Sequence, residues 1–366
     1  NFRDPSKLKH EFSTGGYAEL DSPWLTRFNE SSDLVESARI WLEGTRSRDL
    51  DSFRHSVMNT INRIDELLES QLNEIIHHPE FQQLERGWIG VRYLCEQVDT
   101  RSSDSVKVKV LAVTWNEVSK DALKAIEFDQ SALFKLLYQN EYGMAGGEPF
   151  GVVVGDYQLR CDASKNYFDR DLSVLSKISQ SAAAAFSPFI MSASPEMFGV
   201  DSFSQLSAIR DIAAQFEQAD YAKWRSLRDN DDTKFIGLTA PNVLFRQPYK
   251  SDGSRNDQFD FQEHVYDSNR DLLWGSSAYC FAAVSIRAFQ EHGWFTHMRG
   301  IKQGDYSQGI IVAPTRNKMR VNGKNDRERC PLNLKISERK EQELSECGFI
   351  SISPVPETDM VGMTSN

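Results

Sequence analysis

From Asp51 onward the apolar positions Phe53, Val57, Ile61, Ile64, Leu68, Leu72 and Ile75 recur every three or four residues, the spacing of one helix face. A second series with the same steps follows: Phe81, Leu84, Trp88, Val91, Cys95 and Val98. Pro79 lies between the two. It pushes the residue before it out of the helical region and suits the first position of a new helix, so two amphipathic helices meet here.

Beyond this pair the period changes. The stretch "VKVKVLAVTW" (Val106 to Trp115) alternates valine and lysine before turning apolar, which predicts a strand entering a core. A helix over "KDALKAIEFDQSALFKLLYQ" and a short buried strand over "PFGVVVGDY" come next. In "LSVLSKISQSAAAAFSPFI" four consecutive alanines allow another backbone to approach closely. One or two helices are predicted over "DSFSQLSAIRDIAAQFEQADYAKWRSLRD", opened by Asp201 or Ser202 as a cap. Strands over "KFIGLTAPNVLFRQPY" and "QFDFQEHV" precede a helix over "DLLWGSSAYCFAAVSIRAFQEHG". The last part reads as strands "WFTHMRG", "GIIVAP" and "PLNLKIS", a charged helix "ERKEQELSECG" stopped by Gly348, and a strand "FISISPV". Helix alternates with strand and no repeat is present, so the fold class is mixed α/β (α+β).

A chain of 366 residues is long enough for two lobes or one large domain with insertions. Its net charge of −11 is spread along the sequence, which argues against nucleic acid as the main ligand. The densest basic run, "RNKMRVNGKNDRER" (Arg316 to Arg329), carries Asp326 and Glu328 within it and reads as a solvated loop. No run of 18 apolar residues is present and the opening "NFRDPSKLKH" has no hydrophobic signal core, so membrane insertion is not expected. The first residue is not Met and "TDMVGMTSN" breaks off abruptly; further residues are expected at both ends. Cys95, Cys161, Cys280, Cys330 and Cys347 form no C-x-x-C pair, which points to a reducing compartment. Cys95 and Cys280 lie in apolar patterns and are expected to be buried.

Candidate chemistry is sparse. His77 and His78 with Glu80 resemble the start of a metal site, but Pro79 interrupts the single helix face that such a site needs. The loop "YGMAGGEPFG" (Tyr142 to Gly151) stands between helix and strand, the reverse of a phosphate loop, and carries no Lys-Ser/Thr. No G-x-S-x-G elbow occurs. Ser276 and Ser277 fall inside an apolar helix pattern, and His264, His292 and His297 are scattered. Arg160 with Asp162, and Arg225 and Arg228 beside Asp229, read as surface ion pairs. Neither a catalytic residue nor a metal or cofactor site is expected.

The sequence resembles one family, the large subunit of the type VI secretion contractile sheath, a relative of phage tail sheath proteins. The likeness begins with "LLESQLNEIIHHPEFQQLERGWIGVRYL" and continues through "PFGVVVGDY", "AAAAFSPFI", "FIGLTAPNVLFRQPY", "FQEHV", "LLWGSSAYCFA", "HGWFTHMRG" and "LSECGFISI", in the family's order from about Asp51 to Asp359. It departs at Ala240-Pro241-Asn242, where the family reads Leu-Pro-Arg, and at "IKQGDYSQGI" (Ile301 to Ile310).

That resemblance implies a phage-tail-sheath-like core of mixed sheets flanked by helices, with an N-terminal helical region. The organisation expected is a partner-binding segment over 1–50, a helical hairpin over 51–100 and a mixed α/β core over 101–359. What it implies about function is a bacterial cytoplasmic structural protein and no enzyme. Its partners would be a small sheath subunit in a heterodimer, neighbouring copies of that dimer, an inner tube ring protein, a baseplate and a recycling AAA+ unfoldase. The alternative is a sheath component of another contractile injection system or phage tail.

The signature residues carried over are His78, Pro79, Phe81, Leu84, Glu85, Trp88, Pro248, Tyr249, Trp274, Gly275, Gly293, Trp294, Arg299, Gly300, Gly348 and Phe349. Phe81, Leu84, Trp88, Trp274, Trp294 and Phe349 are expected to build the subunit's own core. In the N-terminal segment Leu34, Ala38, Trp41 and Leu42 are expected to face a partner helix.

Overall fold

A computed structural model describes residues 23–45, 49–99, 106–160, 167–250, 259–268, 270–300, 309–315, 320–321, 324–325, 331–334, 337–355 and 360–363. The turn at 301–308, most of the basic run, Cys161, Asp162 and Cys330 lie outside the described residues. Two compact units result, one from Asn1–Ile75 with Lys250–Glu263, the other from Ile76–Tyr249 with His264–Asn366.

The first unit holds helices α1 (Pro23–Glu30), α2 (Leu34–Thr45) and α3 (Leu50–Ile76). Trp41 of α2 is buried against the rings of Trp24 at 5.5 Å and Phe28 at 5.1 Å. Its indole Nε1 donates to Ser56 Oγ at 3.3 Å. Of the residues expected to face a partner helix, Trp41 is therefore used within its own unit, whereas Leu34 stands in solvent.

The second unit contains α4 (Pro79–Gln97), α5 (Trp115–Lys124), α6 (Tyr167–Ala184), α7 (Ala278–His292) and α8 (Glu338–Glu346). Its strands are β1 (Val153–Leu159), β2 (Phe189–Ala193), β3 (Ile236–Ala240), β4 (Val243–Arg246), β5 (Leu273–Gly275), β6 (Ile310–Val312), β7 (Arg320–Val321), β8 (Lys324–Asn325), β9 (Ile350–Pro354) and β10 (Met360–Met363). A six-stranded sheet runs in the order β1-β2-β3-β9-β10-β6. Its first four strands are parallel, and β10 is antiparallel to both neighbours.

Alternation along the strands divides the core between two faces. Phe189, Met191, Ala193, Leu238 and Ala240 pack with α6 residues such as Leu172, Leu175 and Ile178. Ile311, Ile352, Val361 and Met363 pack with Tyr93 and Leu94 of α4 and with Tyr279, Ala283 and Val284 of α7. Ser192 of β2 bonds Ser276 just ahead of α7 at 2.6 Å and Thr239 of β3 at 3.3 Å, so the start of α7 is tied to the middle of the sheet by buried hydroxyls.

Several expected elements differ. The stretch 106–114 joins no strand, and Val110 and Leu111 are exposed. Lys107 pairs with Glu148, and Lys109 pairs with Glu141 at 3.0 Å and lies over the Phe150 ring at 4.9 Å, so its alternation serves side-chain pairing. Thr114 ends it by opening α5 with a capping box: its Oγ1 accepts from Glu117 N, and Glu117 Oε2 accepts from Thr114 N. Residues 259–265 and 294–300, read as strands, are irregular. Within the stretch expected to form "PLNLKIS" only an isolated bridge at Leu332 is described. Ser276 and Ser277 precede α7 instead of lying within it. Cys95 is exposed, while Cys280 is buried and its thiol is pushed up to about 12 by that burial. Arg225 donates to the Phe216 and Gln218 carbonyls, which caps a turn in place of a carboxylate pair.

Candidate assembly surface

Helix α4 carries five of the sixteen signature residues, more than any other element, and presents three sides, each for a different physical reason. Pro79 occupies its first position and His78, with extended backbone, is its N-cap; His77 and His78 therefore sit at a helix junction. On the buried side lies Gly90, directly beneath the Tyr279 ring of α7. A Cβ at Gly90 would stand 2.3 Å from Tyr279 Cζ, so only glycine lets these helices approach this closely. Tyr93 fixes the same side by donating its hydroxyl to Val312 O at 2.7 Å.

Around the buried Tyr279 ring is a polar knot whose carboxylate, Asp156, is itself exposed on β1. The Tyr279 hydroxyl bonds the Asp156 carboxyl of β1, and the Arg86 guanidinium of α4 faces the same carboxyl. Arg86 also donates to the Trp274 carbonyl at 3.3 Å and to Gln82 O at 3.1 Å. Burial raises the Asp156 carboxyl above the usual range despite Arg86, and burial likewise raises Tyr279. The neighbouring Tyr157 is pushed up to about 12 by burial and by Asp156. The knot links α4, β1 and α7 through side chains from all three elements.

On the second side Glu85 meets Arg246 of β4 at 2.6 Å, with side chains only 15% and 13% exposed. The Arg246 guanidinium lies 4.4 Å from the Tyr249 ring centre. Glu85, Trp88, Ile89, Arg92, Phe245, Arg246, Tyr249 and Pro314 line a groove of about 510 Å3. Arg92 pairs with Glu96 at 3.7 Å along its rim; of the aromatic lining residues Trp88 is exposed, Tyr249 lies beneath Arg246 and Phe245 is buried.

The outer side is the unexpected one. Phe81, Leu84 and Trp88, spaced at i, i+3 and i+7, are exposed, Leu84 by 59% and Trp88 by 67%. Tyr249 is 48% exposed beside half-buried Pro248, and Trp294 is 67% exposed after Gly293 ends α7 at φ 75°. The core role expected for these anchors holds for Phe349 and fails for Phe81, Leu84, Trp88 and Trp294, while Trp274 is half-buried. Phe349 is packed among Phe198, Phe216 and Trp224, after Gly348 turns the chain at φ 87° under the Arg228 guanidinium. Gly275 lets β5 pass 2.4 Å, measured from a would-be Cβ, from the Phe245 ring. Arg299 is exposed, and Gly300, at φ 99°, donates to Met363 O at 2.8 Å and so links its turn to β10.

The structure thus gathers Glu85, Trp88 and Tyr249 at one groove, with Pro248 beside it in sequence, and places Phe349 in the α6-side core after the turn at Gly348. Sequence reasoning missed Gly90, Asp156, Tyr279 and Arg246. A glycine two residues past Trp88 in an otherwise good helix was the available signal for the first of these. Among the described residues no group of three or more His, Cys, Asp or Glu side chains is placed to hold a metal ion, and no helix is long and apolar enough to cross a membrane.

Comparison with known proteins matches residues 58–366 to the family described as EvpB/VC_A0108, tail sheath N-terminal domain. The chain is 37% identical over 311 residues to the type VI secretion system sheath protein TssC1 of Pseudomonas aeruginosa. That alignment covers 83% of this chain and 59% of the relative, so the chain spans about three-fifths of the curated protein it matches.

Proposed function

We propose a function in assembly, because this chain belongs to the VipB family of type VI secretion tail sheath proteins. The observation that carries the reading is the exposed side of α4 with its groove. Phe81, Leu84, Trp88 and Tyr249 are signature residues, yet they stand at the surface. Large apolar groups clustered in solvent mark interaction sites and not monomer stability.

On this reading the chain pairs with a small sheath subunit, and copies of the pair stack as a helical sleeve around an inner tube of ring proteins. Contraction of the sleeve drives the tube outward from the bacterial cytoplasm; a baseplate starts it and an AAA+ unfoldase recycles it. A subunit repeating through heterologous contacts makes an open helix, so its work resides in surfaces. The extended sleeve is metastable, each subunit's small preference for the contracted packing adding along the polymer.

The test is co-expression of the full-length chain with its small partner, followed by size-exclusion chromatography with light scattering. An equimolar complex together with larger assemblies is expected. Separate elution of the two proteins would overturn the pairing. For contraction, scanning calorimetry of purified extended sleeves must show heat release or an entropy gain.

A further inference from the structure

Helix α7 ends at His292, where Gly293 takes a left-handed backbone at φ 75° and its N donates to Phe289 O at 2.7 Å. A little further on His297 is left-handed as well, at φ 54°. Two residues five apart on an unbroken helix point about 140° away from each other. Here the two left-handed turns fold the chain back, and the imidazoles of His292 and His297 meet with ring centres 5.1 Å apart and planes tilted by 53°. Phe295 holds the turn in place by packing on Phe289 of α7, at a ring separation of 6.1 Å, and over Gly151.

The pair does nothing for the interior. Both histidines are exposed, and among the described residues no hydrogen bond engages either imidazole. Histidine accepts the left-handed region better than most residues, but it still holds that backbone at a cost. The spacing of the rings has a chemical meaning. Two imidazoles that share one ion each place a nitrogen about 2.0–2.1 Å from it, which sets the ring centres roughly 5 Å apart at a tetrahedral angle. The surroundings favour positive charge. The C-terminal end of α7 is the negative end of its dipole, and Glu291 Oε2 lies 3.8 Å from His292 Nε2. Glu291 is a neighbouring charge and is not placed as a third ligand, since no described group of three ligands is.

We propose that His292 and His297 form a two-histidine site for a late first-row divalent metal ion, such as zinc(II) or copper(II), which pins the turn bearing Trp294 to the end of α7. Imidazole suits these ions and not magnesium or calcium, which take oxygen ligands. With two protein ligands the other positions of the ion stay open to water, so the site binds less tightly than a closed structural zinc centre. The site is independent of the sheath reading, because it needs only this chain.

The test uses the full-length chain, purified without a histidine tag and stripped of metal by a chelator. Zinc chloride is titrated by isothermal calorimetry into the parent, His292→Gln, His297→Asn and, as a control, a His77→Gln, His78→Gln double variant. Asparagine tolerates the left-handed backbone, so His297→Asn removes the ligand and keeps the turn. Parent and control should bind zinc alike, and each of the first two variants should weaken it by about tenfold or more, the least that disturbing even the groups behind a metal ligand costs. Copper(II) should displace the zinc and magnesium should not. Thermal unfolding gives a second readout: zinc should raise the melting temperature of the parent and of neither ligand variant, while metal-free parent and His297→Asn melt together. Equal zinc binding by the parent and both ligand variants, no saturable binding by the parent, or a loss confined to the His77 and His78 control would overturn the site.

Discussion

Replacing Gly90 by alanine tests the close packing of α4 on α7. In an unhindered helix interior, alanine is favoured over glycine by about 1 kcal/mol. Here the added Cβ falls 2.3 Å from Tyr279 Cζ, and Tyr279 is buried with its hydroxyl on Asp156, so the ring has to move. Overpacking of this kind costs about 1–3 kcal/mol, and displacing the buried Tyr279 hydroxyl from its carboxylate partner adds about 1 kcal/mol. The net expectation is a loss of about 1–3 kcal/mol. Gly87 supplies the control one turn away, since its added Cβ would make only an ordinary 3.5 Å contact with Asp156 Oδ2. Gly87→Ala should be neutral or stabilising by up to about 1 kcal/mol. Thermal unfolding followed by near-UV circular dichroism should separate the two variants by roughly 5–10 °C. In a Tyr279→Ala background Gly90→Ala should cease to destabilise. Equal stability of Gly90→Ala and Gly87→Ala in the parent would refute the packing argument.

Other outcomes follow from the same unit. Glu85→Ala or Arg246→Ala should each cost about 3 kcal/mol by stranding a nearly buried charge, whereas replacing both by leucine and methionine should cost clearly less; urea unfolding of the three variants measures the coupling. Burial raises Asp156 in the folded state, so the folded form holds this proton more tightly than the unfolded one. Its contribution to stability is therefore present below the unfolded pKa and falls as pH rises through the raised value; stability of the parent relative to Asp156→Asn should decline with pH from about 4 upward. A flat difference would contradict the raised Asp156 carboxyl. Thr114→Ala should cost about 1 kcal/mol through the lost capping box, seen as a lower melting temperature.

Much of the fold was legible where a local signal decides structure. The three-and-four spacing marked α3 and α4, Pro79 marked their break, and Gly348 marked the end of α8. Strand signals failed where alternation had another cause, as in Lys107 and Lys109 pairing with Glu148 and Glu141. The candidate surface was half legible. Trp88 and Tyr249 stood out as residues, but a buried tryptophan and an exposed one carry the same letter, and only packing tells them apart. Arg246 is 161 positions from Glu85, and the Asp156 knot draws on α4, β1 and α7, so no window along the chain contains either. The pairing of His292 with His297 was hidden differently: residues five apart diverge on a helix, and the second left-handed turn falls at a histidine instead of a glycine.

The central claim is that this chain works by polymerising with a partner. Negative-stain electron microscopy of the full-length protein, alone and co-expressed with its small sheath subunit, tests it most directly. Tubes with a helical, cogwheel-like cross-section only on co-expression are the predicted result. Discrete soluble particles under both conditions would contradict it.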